Sequence, residues 1–168
     1  MFKKFVTAGI VPLALASTVA AMAVPAAAQL QYQQKIAHSA ARCNGSNGPA
    51  VSITISGIRE TRGTLRVQSY RGLESDWLRK GRWLNRIELP ARAGQMVVCM
   101  PVPESGTYAI AVRHDLNQNG ETDLREDGGG MSNNPPINIF NLGRPSYKRT
   151  AFAVNGGVTS IAINMRYM

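Results

Sequence analysis

The run Val51-Ser-Ile-Thr-Ile-Ser-Gly-Ile58, followed by Gly63-Thr-Leu-Arg-Val-Gln-Ser-Tyr70, decides the fold class. In the first stretch Val51, Ile53 and Ile55 alternate with Ser52, Thr54 and Ser56. A period of two places the apolar side chains on one face of an extended chain and the hydroxyls on the other. In the second, Leu65 and Val67 alternate with Thr64, Arg66 and Gln68, and Thr61-Arg62-Gly63 supplies the turn between them.

The same signature recurs downstream. Ile87 and Leu89 mark a short strand, and Met96 to Val102 is a continuous apolar run of the kind found in central strands. Thr107 to His114 sets Tyr108, Ile110 and Val112 against Thr107, Ala109 and Arg113. Phe152 and Val154 mark a strand, Asn155-Gly156-Gly157 a turn, and Ile161, Ile163 and Met165 the last strand. Residues 72–86 break the period with Trp77, Trp83 and several cations and read as a long loop with room for a short helix. Residues 115–147 are loop-like, rich in Asn, Gly and Pro. About seven strands without a long amphipathic helix predict an all-β, antiparallel Greek-key sandwich, immunoglobulin- or transthyretin-like. Glu104-Ser-Gly-Thr-Tyr108 resembles a tyrosine corner, where the hydroxyl bonds back to nearby backbone.

Composition sets the outer bounds. The chain has 168 residues, a formal charge of +9, 44% hydrophobic and 17% charged residues. Disorder needs the opposite balance, low hydrophobicity with high charge. The length is that of one domain, here 51–168. Two Cys exclude a disulfide-dense miniprotein and a four-Cys zinc module.

Residues 1–28 read as a signal peptide. Lys3 and Lys4 form the basic start, Phe5 to Ala16 the apolar core, and Ala26-Ala27-Ala28 the small-residue cleavage site. The alternative is an uncleaved anchor, since the uncharged run is about long enough to span a bilayer. Its Ala-rich second half and Pro25 argue for cleavage after Ala28, with a mature chain lacking any transmembrane segment. No Cys stands at that point, which argues against a lipoprotein. Location in the bacterial periplasm or outside the cell follows as the expectation. Residues 29–50 read as a loose polar arm. In an oxidising compartment Cys43 and Cys99 are most simply one disulfide. Two free buried thiols are the alternative for a cytosolic chain.

The strongest chemical signal is Asp115-Leu-Asn-Gln-Asn-Gly-Glu-Thr-Asp-Leu-Arg-Glu126, which fits D-x-[DN]-x-[DN]-G-x5-E. With Asp127 the segment carries five acids against Arg125, an acidic island on a basic protein. Calcium is held by six to eight oxygens, and alternate positions of such a loop converge on one ion. Asp115, Asn117 and Asn119 take the first three positions, and Gly120 permits the sharp turn. Glu121 would offer its carbonyl, Asp123 its carboxylate, and Glu126 the closing bidentate carboxylate. Three anionic ligands and a nearby Arg125 predict weak to moderate affinity. No helix flanks the loop, so it reads as a calcium loop on a β scaffold, not an EF-hand pair. The alternative is a polar loop of Asx-turns without an ion.

The run Gly106 to Asp123 resembles the signature of a family of secreted bacterial proteins, domain of unknown function 2141. The stretches 51–58 and 63–70 are similar to that family's opening hairpin, and Ser132-Asn133, Gly143 to Tyr147 and Ala151-Phe152 to its later landmarks. The resemblance covers about residues 50–166. It implies a small periplasmic or secreted β-sandwich and no activity. The two Cys and the basic segment 72–86 depart from the family pattern.

Catalysis has little support. His38 and His114 are the only histidines, and Ser105 lacks a nucleophile-elbow context. The acids of 115–127 have the chemistry of a glycosidase pair, which leaves a hydrolase as the remote alternative. A rival of another class is an anion-binding face in segment 59–92, where nine cations face four acids. Arg79, Lys80 and Arg82 with Trp77 and Trp83 are its candidate residues, suited to lipopolysaccharide or an acidic glycan more than to nucleic acid. The plainer reading of 59–92 is a solvated basic surface with one Trp tucked into the core. The sequence thus predicts an exported, non-catalytic, calcium-stabilised envelope module with no partner specified; an anionic envelope polymer or another envelope protein is the alternative.

Overall fold

The computed structural model describes residues 31–137, 141 and 143–168. The expected signal peptide, 1–28, lies outside the described residues. The chain is all-β with almost no helix. In order it forms β1 (Gln34–Lys35), a single 3-10 turn (Ala40–Cys43), β2 (Ala50–Ile58), β3 (Thr64–Arg71), β4 (Asn85–Pro90), β5 (Gly94–Pro101) and β6 (Gly106–Asp115). Then come β7 (Gly128–Met131), α1 (Tyr147–Thr150), β8 (Phe152–Val154), β9 (Val158–Asn164) and β10 (Arg166–Tyr167).

Two sheets stack face to face. The larger runs β1-β4-β3-β6-β7-β10, with β8 beside the first half of β6; the smaller runs β5-β2-β9. The seven strands expected from periodicity are all present. Both sheets are mixed rather than antiparallel, because β2 pairs parallel with β9 and β1 parallel with β4. The two stretches likened to an opening hairpin, β2 and β3, fall in different sheets and do not pair. Their turn, Thr61-Arg62-Gly63, instead carries the chain from one layer to the other. The apolar run in β5 is not a central strand either. It is an edge, apolar because Val98 and Met100 face the core while Cys99 is buried beside the 3-10 turn and Val97 is left exposed.

The core lies between the layers. Val51, Ile53 and Ile55 of β2 and Ile163 of β9 meet Leu65, Val67, Ile87, Ile110 and Val112 of the larger sheet. Burying each of these aliphatic side chains contributes roughly 1.5–3 kcal/mol against exposure. Tyr108 closes one end of the core, and its hydroxyl donates to the Glu104 carbonyl at 2.8 Å, the bond its sequence context suggested. His114 closes the other end, fully buried. Its Nε2 lies 2.7 Å from the Arg62 carbonyl, which only accepts, so Nε2 carries the proton. The Tyr167 hydroxyl then donates to Nδ1 at 2.7 Å and accepts from the Arg59 amide at 3.0 Å, which ties β10 to the layer crossing.

A second apolar cluster covers the outer face of the larger sheet. Tyr70, Trp77, Trp83, Ala109 and Met131 form it, roofed by the irregular segment between β3 and β4. Where a loose arm was expected, the chain from Gln31 is tied down: β1 adds an edge strand, and the Tyr32 hydroxyl donates to buried Asp76 at 2.7 Å.

Cys43 and Cys99 form a disulfide across 56 residues, joining the 3-10 turn to edge strand β5. Closing a loop of that size stabilises by about 4 kcal/mol in the chain-entropy model. The Cys43→Ser, Cys99→Ser double variant is expected to melt roughly 10 °C lower than the parent by calorimetry. An unchanged melting temperature would remove the disulfide from the account of stability.

Candidate metal centre

Strand β6 delivers the loop. Its inward residues Tyr108, Ile110, Val112 and His114 anchor it in the core, so Asp115 emerges at a fixed place beside Thr64. Gly63 packs against that strand end. It has φ of +78°, and a Cβ there would lie 2.2 Å from the Asp115 carbonyl oxygen. Any side chain at 63 would push the layer crossing away from the loop.

Asp115 is 2% exposed. Its Oδ2 accepts from the Gly120 amide at 3.0 Å and from Arg113 Nη2 at 3.2 Å. Its Oδ1 is buried and has no donor. The turn back depends on left-handed backbone at Gln118 and Gly120, with φ of +60° and +79°. Asn117 Oδ1 accepts from the Asn119 amide at 3.0 Å, and Asn119 Oδ1 from the Glu121 amide at 2.8 Å. These are the Asx-turns expected of such a loop. The Asn side-chain amides converge on the acids: Asn117 Nδ2 reaches Asp123 Oδ2 at 2.9 Å and Glu126 Oε2 at 3.4 Å, and Asn119 Nδ2 reaches Asp123 at 2.7 Å. The Asn117 and Asn119 bonds hold the Asp123 carboxyl below the usual carboxylate value.

The structure therefore brings Asn117, Asn119, Asp123 and Glu126 together, with Asp115 fixed across the turn by Gly120. The Glu121 side chain is exposed. The donors are all oxygen, the hard set that suits calcium or magnesium and not zinc. Among the described residues no group of three or more His, Cys, Asp or Glu forms a ready metal cage. Exposed carboxylate oxygens of the loop face solvent, whereas Asp115 Oδ1 is, among the described residues, the buried side-chain oxygen without a donor. That orphaned anionic oxygen is the observation that fits a cation.

Two residues outside the motif complete the loop. Asp127 accepts from the Leu116 amide through Oδ1 at 3.1 Å and from the Asp123 amide through Oδ2 at 3.0 Å, clamping the loop's two ends. Arg113 enters from β6: Nη1 donates to Thr122 Oγ1 at 2.9 Å and Nη2 to the Gly120 carbonyl at 2.8 Å. Asp127 directly follows the twelve-residue pattern, and Arg113 lies two residues before it on an outward strand position. Those places are the signals that could have found them.

In the basic, Trp-containing segment both indoles lie inside and the cations outside. Trp77 and Trp83 are each 7% exposed, so neither indole forms a stacking platform. Trp77 Nε1 donates to the Pro145 carbonyl at 2.8 Å, and its ring meets Tyr70 edge-on. Arg86 lies over the Trp83 ring at 4.1 Å. Arg82 bonds Asp76 through Nε at 3.0 Å and Nη2 at 2.7 Å. Burial pushes the Asp76 carboxyl up, and the bonds from Tyr32, Arg82 and Ser75 more than reverse this, leaving it below its ordinary value. Arg66 pairs with Glu88 and Arg71 with Glu104. Arg79 and Lys80 remain exposed. The indoles went inside because the outer sheet face needed an apolar cover.

Fold and loop together define a small, disulfide-tied β-sandwich protein with an acidic oxygen-donor loop at one end. More narrowly, the chain belongs to the family described as uncharacterized protein conserved in bacteria (DUF2141), whose model matches residues 53–162. No curated protein and no solved structure matches the chain.

Asp127→Ala would leave the Leu116 and Asp123 amides without their acceptor. A loss of about 2–4 kcal/mol is expected in urea denaturation in EDTA. Asp127→Asn, which keeps one acceptor oxygen, should lose about half as much.

Proposed function

We propose that this protein is an exported, non-catalytic β-sandwich module of the bacterial envelope whose 115–126 loop takes one calcium ion. The observation that carries the reading is the buried, donorless Oδ1 of Asp115 inside a loop of calcium-type spacing. Arg113 meets Oδ2 alone, and a buried carboxylate oxygen left without any partner is costly. Asp115, Asn117, Asn119, Asp123 and Glu126 would hold the ion, with the Glu121 carbonyl. The ion would stiffen the connection between β6 and β7. The Asn side chains would turn their oxygens inward in place of the amide contacts to Asp123.

Export to the periplasm or beyond is supported by the Cys43–Cys99 disulfide, a bond of oxidising compartments, and by the leader-like residues 1–28. Among the described residues no helix is long and apolar enough to cross a membrane. The absence of catalysis is supported by His114, whose ring nitrogens are both engaged in holding the fold. The tyrosine-corner bond of Tyr108 supports a Greek-key path of the immunoglobulin or transthyretin type.

Calcium that binds only the folded state stabilises it by about 2.7 kcal/mol at a hundred times its Kd. Millimolar calcium is therefore expected to raise the melting temperature by several degrees over EDTA. Asp115→Asn and Glu126→Gln should abolish the rise, and exposed Glu126→Gln should melt as the parent does in EDTA. A parent protein that melts at one temperature in both conditions would overturn the calcium assignment.

A further inference from the structure

The outer face of the larger sheet carries a row of cations, of which only Arg113 is engaged by the proposed calcium loop. Glu88, Arg66, Arg113, Gly129 and Arg166 stand directly opposite one another across β4, β3, β6, β7 and β10. Residues in register share a face, so three guanidinium side chains and one empty position lie in line. The empty position is Gly129, where the nearest atom to a notional Cβ is Ile137 Cδ1, 4.0 Å away.

A cavity of about 710 Å³ opens over this gap. Arg113, Arg144 and Arg166 line it, Ala111 and Met131 form an apolar floor one register row away, and Leu78 and Ile137 add apolar wall. Arg66 is paired with Glu88, and Arg113 is committed to the loop. Arg144 and Arg166 pair with no carboxylate among the described residues. Among the described residues the Arg144 side chain donates only to the Leu78 carbonyl, at 2.9 Å, which brings it no opposite charge. Asp123 and Asp127 also border the cavity, but both already accept hydrogen bonds from the loop. A volume in the ligand range, apolar walls and a few convergent charges are the attributes of a small-molecule site.

We propose that this cavity binds a single-chain anionic amphiphile, its carboxylate or phosphate head on Arg144 and Arg166 over Gly129 and its alkyl chain against Ala111, Met131, Leu78 and Ile137. Free guanidinium groups bond carboxylate and phosphate oxygens with charge assistance, and beside Gln68 the floor and wall are apolar, which suits an alkyl chain. The site stands whether or not the loop takes calcium. It also differs from the face expected in 59–92, since its cations come from β6, β10 and the segment before α1.

The test is calorimetric titration, in EDTA, of the protein expressed from its full sequence. The probes are decanoate and decyl phosphate, with acetate and inorganic phosphate as heads without chains. Both decyl probes are expected to bind saturably, and at least about tenfold more tightly than the free heads. Arg144→Ala and Arg166→Ala should each weaken binding about tenfold, and Lys80→Ala should leave it unchanged. Gly129→Leu should abolish binding by filling the gap without altering any charge. No saturable binding of either decyl probe would overturn the proposal. So would equal binding of phosphate and decyl phosphate, or an equal loss in Lys80→Ala and Arg166→Ala.

Discussion

Strand β6 is hydrogen-bonded along both edges, to β3 on one side and to β8 and then β7 on the other. That double pairing is the constraint on which the rest depends. It holds Tyr108 and His114 at opposite ends of the core, and it fixes the backbone from which the acidic loop springs. One face of β6 then belongs to the interior, through Ile110 and Val112. The other carries Arg113, Ala111 and Ala109, which meet the loop, the cavity floor and the tryptophan cluster in turn. A strand of ten residues thus connects each feature to which a function is attributed.

The two ends of the sandwich are held by different physics. At the Asp115 end the bonds are local and polar: the loop is shaped by Asx-turns, by the Asp127 clamp and by Arg113. At the opposite end of β2, Cys43 is bonded to Cys99, opposite Ser52 in the pairing with β5. A cross-link restrains an edge without needing a large apolar area, which suits a three-stranded layer covered only in part by a short N-terminal segment. The loop end is the one free to respond to an ion or ligand, because its energy rests in hydrogen bonds and charge and not in a covalent tie.

Much of the fold was legible because sheet burial writes a period of two into the chain. β2, β3 and β6 alternate cleanly, and each emerged close to its expected bounds. Pairing partners were not legible. Periodicity reports which face is buried, not which neighbour lies alongside, so the parallel β2–β9 pair and the separation of β2 from β3 left no local trace. β7 escaped because Gly128-Gly129-Gly130 has no side chains to alternate. β5 misled because its apolar run serves a core face and a disulfide and does not mark a central place. The loop residues were legible in type and spacing, since Asn and Asp at alternate positions make their turns locally. The Arg113 contact was not, because it depends on an outward strand position meeting a loop that folds back over it. Burial of both Trp77 and Trp83 was not legible for a related reason: an outer sheet face needs cover, and only the tertiary arrangement says which segment supplies it.

Strand β6 presents a preformed loop, and we propose that its buried, donorless Asp115 Oδ1 is a cation ligand. Amide hydrogen exchange across residues 116–127, in EDTA and in millimolar calcium, tests it most directly. The Leu116 and Gly120 amides, both bonded to aspartate side chains, should be protected even in EDTA, and calcium should slow the whole loop by about tenfold or more while leaving β2 unchanged. Rapid exchange at Leu116 and Gly120 in EDTA, or identical rates in the two conditions, would contradict it.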